Sequence, residues 1–108
     1  MFKLDSIGKE TVLHSFNGGA EGGYPWGALV LDESGTLYAT ASGRGAYGYG
    51  TVFKLDKHGN FTVLHAFTGG RDGGYPDAGL NRDDKVNLYG TTYEGGDDGV
   101  GTVFELTP

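Results

Sequence analysis

The chain has 108 residues, no cysteine, and 8 basic against 14 acidic side chains, which gives a formal net charge of −6. This length suits one domain or a piece of a larger protein, and the lack of cysteine excludes disulfides and thiolate metal sites. The negative charge opposes contact with a phosphate backbone and argues against nucleic-acid binding. No apolar run reaches the roughly 18 residues of a membrane-spanning helix, and strand-like residues follow Met1 directly, so we expect no signal peptide in this chain.

Short strands separated by glycine clusters run through the whole sequence, which holds 22 glycines. In chain order the strand-like stretches are FKL, TVLHSF, GALV and LYATA, then TVFKL, TVLHAF, DAGLNR and LYGTT, and finally TVFEL. Val, Leu, Phe and Tyr fill these stretches, and no apolar stripe of helical period occurs. The sequence therefore predicts an all-β protein.

The strands belong to an internal repeat with a period of 51 residues. Repeat 1 covers about 2–52, repeat 2 about 53–103, and 104–108 starts a third; about half of the aligned positions in repeats 1 and 2 are identical. A period near 50 with four strands is typical of one blade of a β-propeller. We therefore expect a propeller fragment of about two four-stranded blades, completed by oligomerisation or by further repeats.

Within one blade we expect the strand order a-b-c-d. Strand a is the Gly/Ala-rich stretch after Pro25 or Pro76, strand b is LYATA or LYGTT, strand c is TVFKL, and strand d is TVLHSF or TVLHAF. Because neighbouring strands run antiparallel, the long Gly-rich d–a and b–c loops should lie on one face of the blade. The two repeats differ most in these loops, whose tips are free to carry binding groups.

The motifs GTVFKL, TVLHAF, DGGYPDAGL and NLYGTT resemble the GloVer tandem repeat of bacterial surface proteins. The spacing of strands and turns within one blade resembles that of NHL repeats. The resemblance spans essentially the whole chain and departs from the pattern at SGRGAYGYG in repeat 1. It implies a repeat scaffold in an extracellular or cell-surface setting, and it implies no reaction.

The candidate ligand-binding residues are the aromatic and charged side chains of the two loops, namely Trp26, Arg44, Tyr47, Tyr49, Asp72, Asp77, Asp97 and Asp98. Aromatic rings stack on sugars, although the same rings also cover glycine-rich backbone. The aspartates would suit Ca²⁺, but their spacing matches no calcium loop, and aspartate also favours turns by bonding its own backbone. We therefore expect no cofactor and no metal, and we interpret Tyr24 and Tyr75 as structural because both repeats share them.

The leading functional hypothesis is a non-catalytic scaffold or binding module that assembles with itself and binds glycans or surfaces through the Gly-rich loops. A propeller enzyme acting on glycans, and a purely structural or engineered repeat with no ligand, are the alternatives. The strand count suggests that one chain donates strand d, Thr11–Phe16, to the a-b-c strands of the next, closing a ring of three or four copies. Residues 1–5 would then be displaced by the longer C-terminal copy of strand c.

Overall fold

The computed structural model describes residues 2–4, 7–12, 15–16, 19, 22–25, 29–76 and 79–108, and this part of the chain is all β with no helix. No segment in it is therefore a helix long and apolar enough to cross a membrane. Its nine strands are β1 (Phe2–Leu4), β2 (Glu10–Val12), β3 (Val30–Leu31), β4 (Leu37–Ala41), β5 (Thr51–Leu55), β6 (Phe61–Ala66), β7 (Asn81–Arg82), β8 (Leu88–Thr92) and β9 (Thr102–Leu106).

The strands form three antiparallel sheets that follow one another along the chain. β1 and β2 form a pair, β3-β4-β5-β6 form a four-stranded sheet, and β7-β8-β9 form a three-stranded sheet. Read as strand types, this order is c-d, then a-b-c-d, then a-b-c. The predicted all-β class and the predicted strand order within a repeat are confirmed.

Strand a is short in the residues that the structure describes. Of the expected stretches GALV and DAGLNR, residues 27–28 and 77–78 lie outside the described residues. The strands β3 and β7 have two residues each, and Leu29 and Leu80 directly precede them. Arg82 compensates in part, since its Nε donates a hydrogen bond to the carbonyl oxygen of Leu31 at 3.0 Å and so links β7 to β3.

Both faces of the four-stranded sheet are covered, because successive side chains of a strand point in opposite directions. On one face Ala39, Ala41 and Phe53 form a cluster with Phe16 and Phe61. On the other face Tyr38 and Val52 pack with Phe67, Leu80 and Leu88. The sheet is thus held between the residues that follow β2 and the three-stranded sheet.

The repeated apolar residues differ in burial. Phe53, Leu55, Phe67, Leu80 and Leu88 are buried, and Val63 and Leu64 are half-buried. Tyr89 and the repeat-1 residues Phe2, Leu4, Val12 and Leu29 are exposed. Tyr89, Phe2, Leu4 and Val12 belong to the two outer sheets, and Leu29 directly precedes β3 of the middle sheet. Position within the row of sheets, rather than residue identity, decides whether each is buried.

Residues 2–4 form β1 in the single chain, whereas the expected displacement of residues 1–5 concerns the assembled ring and stays a prediction. β1 pairs with β2, with Phe2 opposite Val12, Lys3 opposite Thr11 and Leu4 opposite Glu10. This is the register in which β5 pairs with β6, where Phe53 lies opposite Val63. With no second chain present, the N-terminal copy of strand c is the nearest partner for β2.

An aspartate anchors each short turn on the side of the sheets opposite the Gly-rich loops. Asp32 accepts hydrogen bonds from the backbone N–H groups of Ser34 and Thr36, at 2.9 and 3.0 Å, and from the Tyr38 hydroxyl at 3.0 Å. Asp83 repeats this pattern in the second repeat. The hydrogen bond from the Ser34 hydroxyl, together with these bonds, holds the pKa of the Asp32 carboxyl below its ordinary value. The bonds from the backbone N–H and the side-chain amide of Asn87 do the same for the pKa of Asp83. Such aspartates belong to the turns and not to a ligand site.

Candidate functional site

The d–a and b–c loops of each repeat are hydrogen-bonded to each other. In repeat 2 the Gly74 N–H donates to the Glu94 carbonyl at 2.9 Å, and the Glu94 N–H donates back at 3.1 Å. In repeat 1 Gly23 and Gly43 exchange the same two bonds, at 2.9 and 3.1 Å. The two loops therefore lie on the same side of the sheets, as the strand order predicts. We call this side the loop face.

An open cleft of about 620 Å³ lies on the loop face and takes residues from both repeats. Its side chains are three tyrosines, a serine and two opposite charges: Tyr24, Tyr75, Tyr93, Ser42, Arg44 and Glu94. Tyr24 and Tyr93 are more than half exposed. We call it the tyrosine cleft, and its volume is within the range of small-ligand sites.

The backbone of the tyrosine cleft is unusual. Tyr24, Arg44 and Tyr75 have φ values of 58°, 61° and 54°, in the left-handed region. Among the described residues other than glycine, only Val86, in a turn of repeat 2, shares this feature. A side chain in this region costs about 1–2 kcal/mol, and such strain collects at ligand sites.

The cleft contains the opposite charges of Arg44 and Glu94, which do not form an ion pair with each other. The Arg44 guanidinium carbon lies 6.0 Å from the centroid of the Tyr24 ring, a cation–π geometry. Within the described part of the chain, neither Arg44 nor Glu94 forms an ion pair. The cleft therefore presents hydrogen-bond donors at Arg44 and acceptors at Glu94.

The predicted site residues are spread over the loop face, and of those described only Arg44 lines the cleft. Tyr47 is exposed outside it. Tyr49 packs between the repeats, with its ring centroid 5.3 Å from that of Tyr75, and its carbonyl accepts the Tyr75 N–H at 2.7 Å. Asp98 is exposed. Trp26 and Asp77 lie outside the described residues.

The carboxyls of Asp72 and Asp97 are held by neighbouring side chains. Asp97 accepts a hydrogen bond from the Nε of Arg71 at 2.8 Å, which ties the b–c loop to the d–a loop. Asp72 lies 2.9 Å from the Nε2 of His65 and accepts the Thr68 hydroxyl. Burial acts to raise the pKa of Asp72, but the hydrogen bonds from Thr68 and His65 outweigh it, so this pKa lies below its ordinary value.

The sequence interpretation missed five side chains of the cleft, namely Tyr24, Ser42, Tyr75, Tyr93 and Glu94. We expected Tyr24 and Tyr75 to be structural, yet both line the cleft. Their position directly before proline was the available signal, because a bulky residue there has to carry the tight turn into strand a. For metals, the described residues contain no group of three or more His, Asp and Glu side chains placed to hold an ion.

A second groove follows the free edge of β9. It has a volume of about 230 Å³ and lies between β9 and the end of β6, lined by Val52, His65, Phe67, Phe104 and Leu106 among others. In the four-stranded sheet the equivalent edge, that of β5, is occupied by β6. Among the described residues, no strand pairs with this edge of β9.

Comparison with known proteins agrees with the repeat. The model of the family described as the Gloeobacter/Verrucomicrobia repeat matches residues 1–108, which confirms the resemblance to the GloVer repeat. No curated protein and no solved structure gives a significant match. A match over the whole sequence shows that this chain belongs to the Gloeobacter/Verrucomicrobia repeat family.

Proposed function

We propose that the chain is a non-catalytic scaffold whose copies close into a β-propeller ring, with the loop face as a binding surface. The observation that carries this proposal is that equivalent residues are buried in one repeat and exposed in the other. Val52 is 0% exposed and its equivalent Val103 is 83% exposed. Leu80 is 6% exposed and its equivalent Leu29 is 46% exposed. Each exposed residue lies on a sheet face that lacks the neighbour its equivalent has.

A second copy of the chain supplies these neighbours. The outer face of β8 and β9, which carries Tyr89 and Val103, corresponds to the face of β4 and β5 that packs on repeat 2. In a second copy, the apolar side chains of repeat 1, Leu29 among them, correspond to those that cover this face. Burying matched apolar faces between copies is favourable by roughly 25 cal/mol per Å².

The same contact completes the three-stranded sheet. β5 pairs with β6 with Phe53 opposite Val63 and Leu55 opposite Phe61. In the same register, β9 of one copy would receive β2 of the next, with Phe104 opposite Val12. Pairing would also remove an open sheet edge, which is an aggregation hazard in an isolated chain.

Head-to-tail contacts of this kind close into a ring if the rotation between copies allows it. Propellers have about 4–8 blades, and each chain would supply two. Three copies would make a six-bladed ring and four would make an eight-bladed ring. We therefore favour a trimer or a tetramer.

Size-exclusion chromatography with light scattering at micromolar concentration tests the assembly. We expect one particle of three or four chains. Val103→Asp should dissociate it, since it would bury a charge between copies, without harming the exposed face of the single chain. Tyr47→Asp is the matched control, because Tyr47 is 61% exposed and its repeat-2 equivalent, Asp98, is exposed as well. A compact wild-type monomer, or dissociation by both substitutions alike, would refute the ring.

A non-catalytic role is what we propose, because the repeat that the chain belongs to implies no reaction. Glycans at a cell surface are the ligands we propose for this face, in an extracellular parent protein, as the resemblance to surface-protein repeats implies. The ring would then present several loop faces side by side, which raises the avidity for a polymeric ligand.

A further inference from the structure

We infer that the tyrosine cleft binds a neutral oligosaccharide, an assignment that rests on the proposed role of the loop face as a binding surface. Three observations point to it: the left-handed backbone of Arg44 at a position where repeat 2 has glycine, the exposed rings of Tyr24 and Tyr93, and the side chains of Arg44 and Glu94, which form no ion pair with a described residue. All three observations concern residues that the structure describes, and the cleft takes residues from both repeats.

Arg44 has a left-handed backbone, with a φ of 61°, at a position where repeat 2 has a glycine. Its equivalent in repeat 2 is Gly95, which has a φ of 82°. A Cβ atom at Gly95 would lie 2.6 Å from the Cα of Gly73, so glycine suits this backbone position in repeat 2. An arginine at the repeat-1 position carries a left-handed backbone penalty that glycine avoids. A role for its guanidinium in binding explains why it stands there.

The rings of the cleft tyrosines are suited to stacking on sugar rings. The face of an aromatic ring is electronegative, and the C–H groups of a pyranose are weakly electropositive, so the two stack. Tyr24 and Tyr75 occupy equivalent positions in consecutive repeats and line one cleft with Tyr93. An extended ligand can therefore contact rings from both repeats.

The charges of the cleft favour a neutral ligand. A sugar hydroxyl both donates and accepts, so it can receive a hydrogen bond from Arg44 and give one to Glu94. A polyanion would meet the Glu94 carboxylate, and a polycation would meet the Arg44 guanidinium. Since neither group forms an ion pair with another described residue, a ligand need not break one to reach them.

Affinity gel electrophoresis of the full chain tests the inference. The gels contain hydroxyethylcellulose, xylan or mannan as neutral probes, and polygalacturonate or a proline-rich peptide conjugate as competing ligand classes. We expect at least one neutral polysaccharide to retard the wild type. Tyr24→Ala and Arg44→Gly should each weaken that retardation at least tenfold, and Tyr47→Ala, an exposed tyrosine outside the cleft, should leave it unchanged.

Arg44→Gly separates binding from folding. Because the substitution relieves a left-handed side chain, its urea midpoint should equal or exceed that of the wild type while its sugar binding is lost. Failure of every neutral probe to retard the wild type, retardation by polygalacturonate or the peptide alone, or equal loss in Tyr47→Ala would overturn the inference. Light scattering on the same samples measures assembly independently of sugar binding. A wild type that assembles but binds no sugar would therefore refute the sugar site and leave the proposed ring intact.

Discussion

Phenylalanine at the end of strand d forms the same contact in both repeats. The ring of Phe67 meets that of Phe104 at 5.3 Å, edge to face, and the ring of Phe16 meets that of Phe53 at 5.2 Å in the same geometry. In each case the residue after one sheet packs on strand c of the following sheet. The same phenylalanine position therefore joins consecutive sheets in both repeats.

We predict that Phe67→Ala lowers the free energy of unfolding by about 3–5 kcal/mol, the usual cost of emptying a buried aromatic site. Phe67 is 2% exposed and packs in the cluster that joins the two larger sheets. Phe2→Ala is the control, since Phe2 is 57% exposed and should cost less than about 1 kcal/mol. Equal losses in urea denaturation would show that Phe67 does not hold these sheets together.

The Asp72 carboxyl makes stability depend on pH. Its folded pKa is lowered, so its contribution is present above the unfolded value of about 3.9 and is lost as pH falls through the folded pKa. Asp72→Asn should therefore lower the urea midpoint at pH 7, and the difference from the wild type should shrink below pH 4. Asp84→Asn, in an exposed turn, is the control. A difference that stays constant from pH 7 to pH 3 would contradict this assignment.

Among the strands, β1 of the same chain and β9 of a second copy can each pair with the same edge of β2. β1 holds the edge of β2 in the register that β9 of a second copy would use. β1 contributes three residues with exposed side chains, whereas β9 has five residues and is paired along its length with β8. Assembly would therefore proceed by exchange of β1 for β9, with β1 limiting its rate.

Deletion of residues 1–5 should strengthen assembly, because it removes the competing strand and leaves β2 and β9 intact. We expect the concentration at which half of the chains are assembled to fall several-fold in a dilution series followed by light scattering. Deletion of Thr107 and Pro108, which lie beyond β9, is the control and should have little effect. Weaker assembly after removal of residues 1–5 would mean that β1 supports the interface.

At the scale of the whole molecule, one complete sheet lies between two incomplete ones. The two-stranded pair has an apolar side without cover, and the three-stranded sheet has both an open edge and an exposed face. These surfaces are complementary because they are copies of surfaces already joined within the chain. The ring that we propose repeats the internal junction between sheets at each contact between copies.

The repeat, the strand types, their order and the side of the long loops can be predicted from the sequence. These follow from local properties: alternating side chains such as those of TVFKL, aspartates that bond their own turns, and glycines that permit left-handed backbone. Burial depends on the packing of the sheets and cannot be predicted in this way. Val52 and Val103 have the same neighbours in sequence, yet only Val52 has a sheet packed against it. The cleft depends on packing too, because Tyr24 and Tyr75 occupy equivalent positions in the sequence and only the folded chain brings both to one surface.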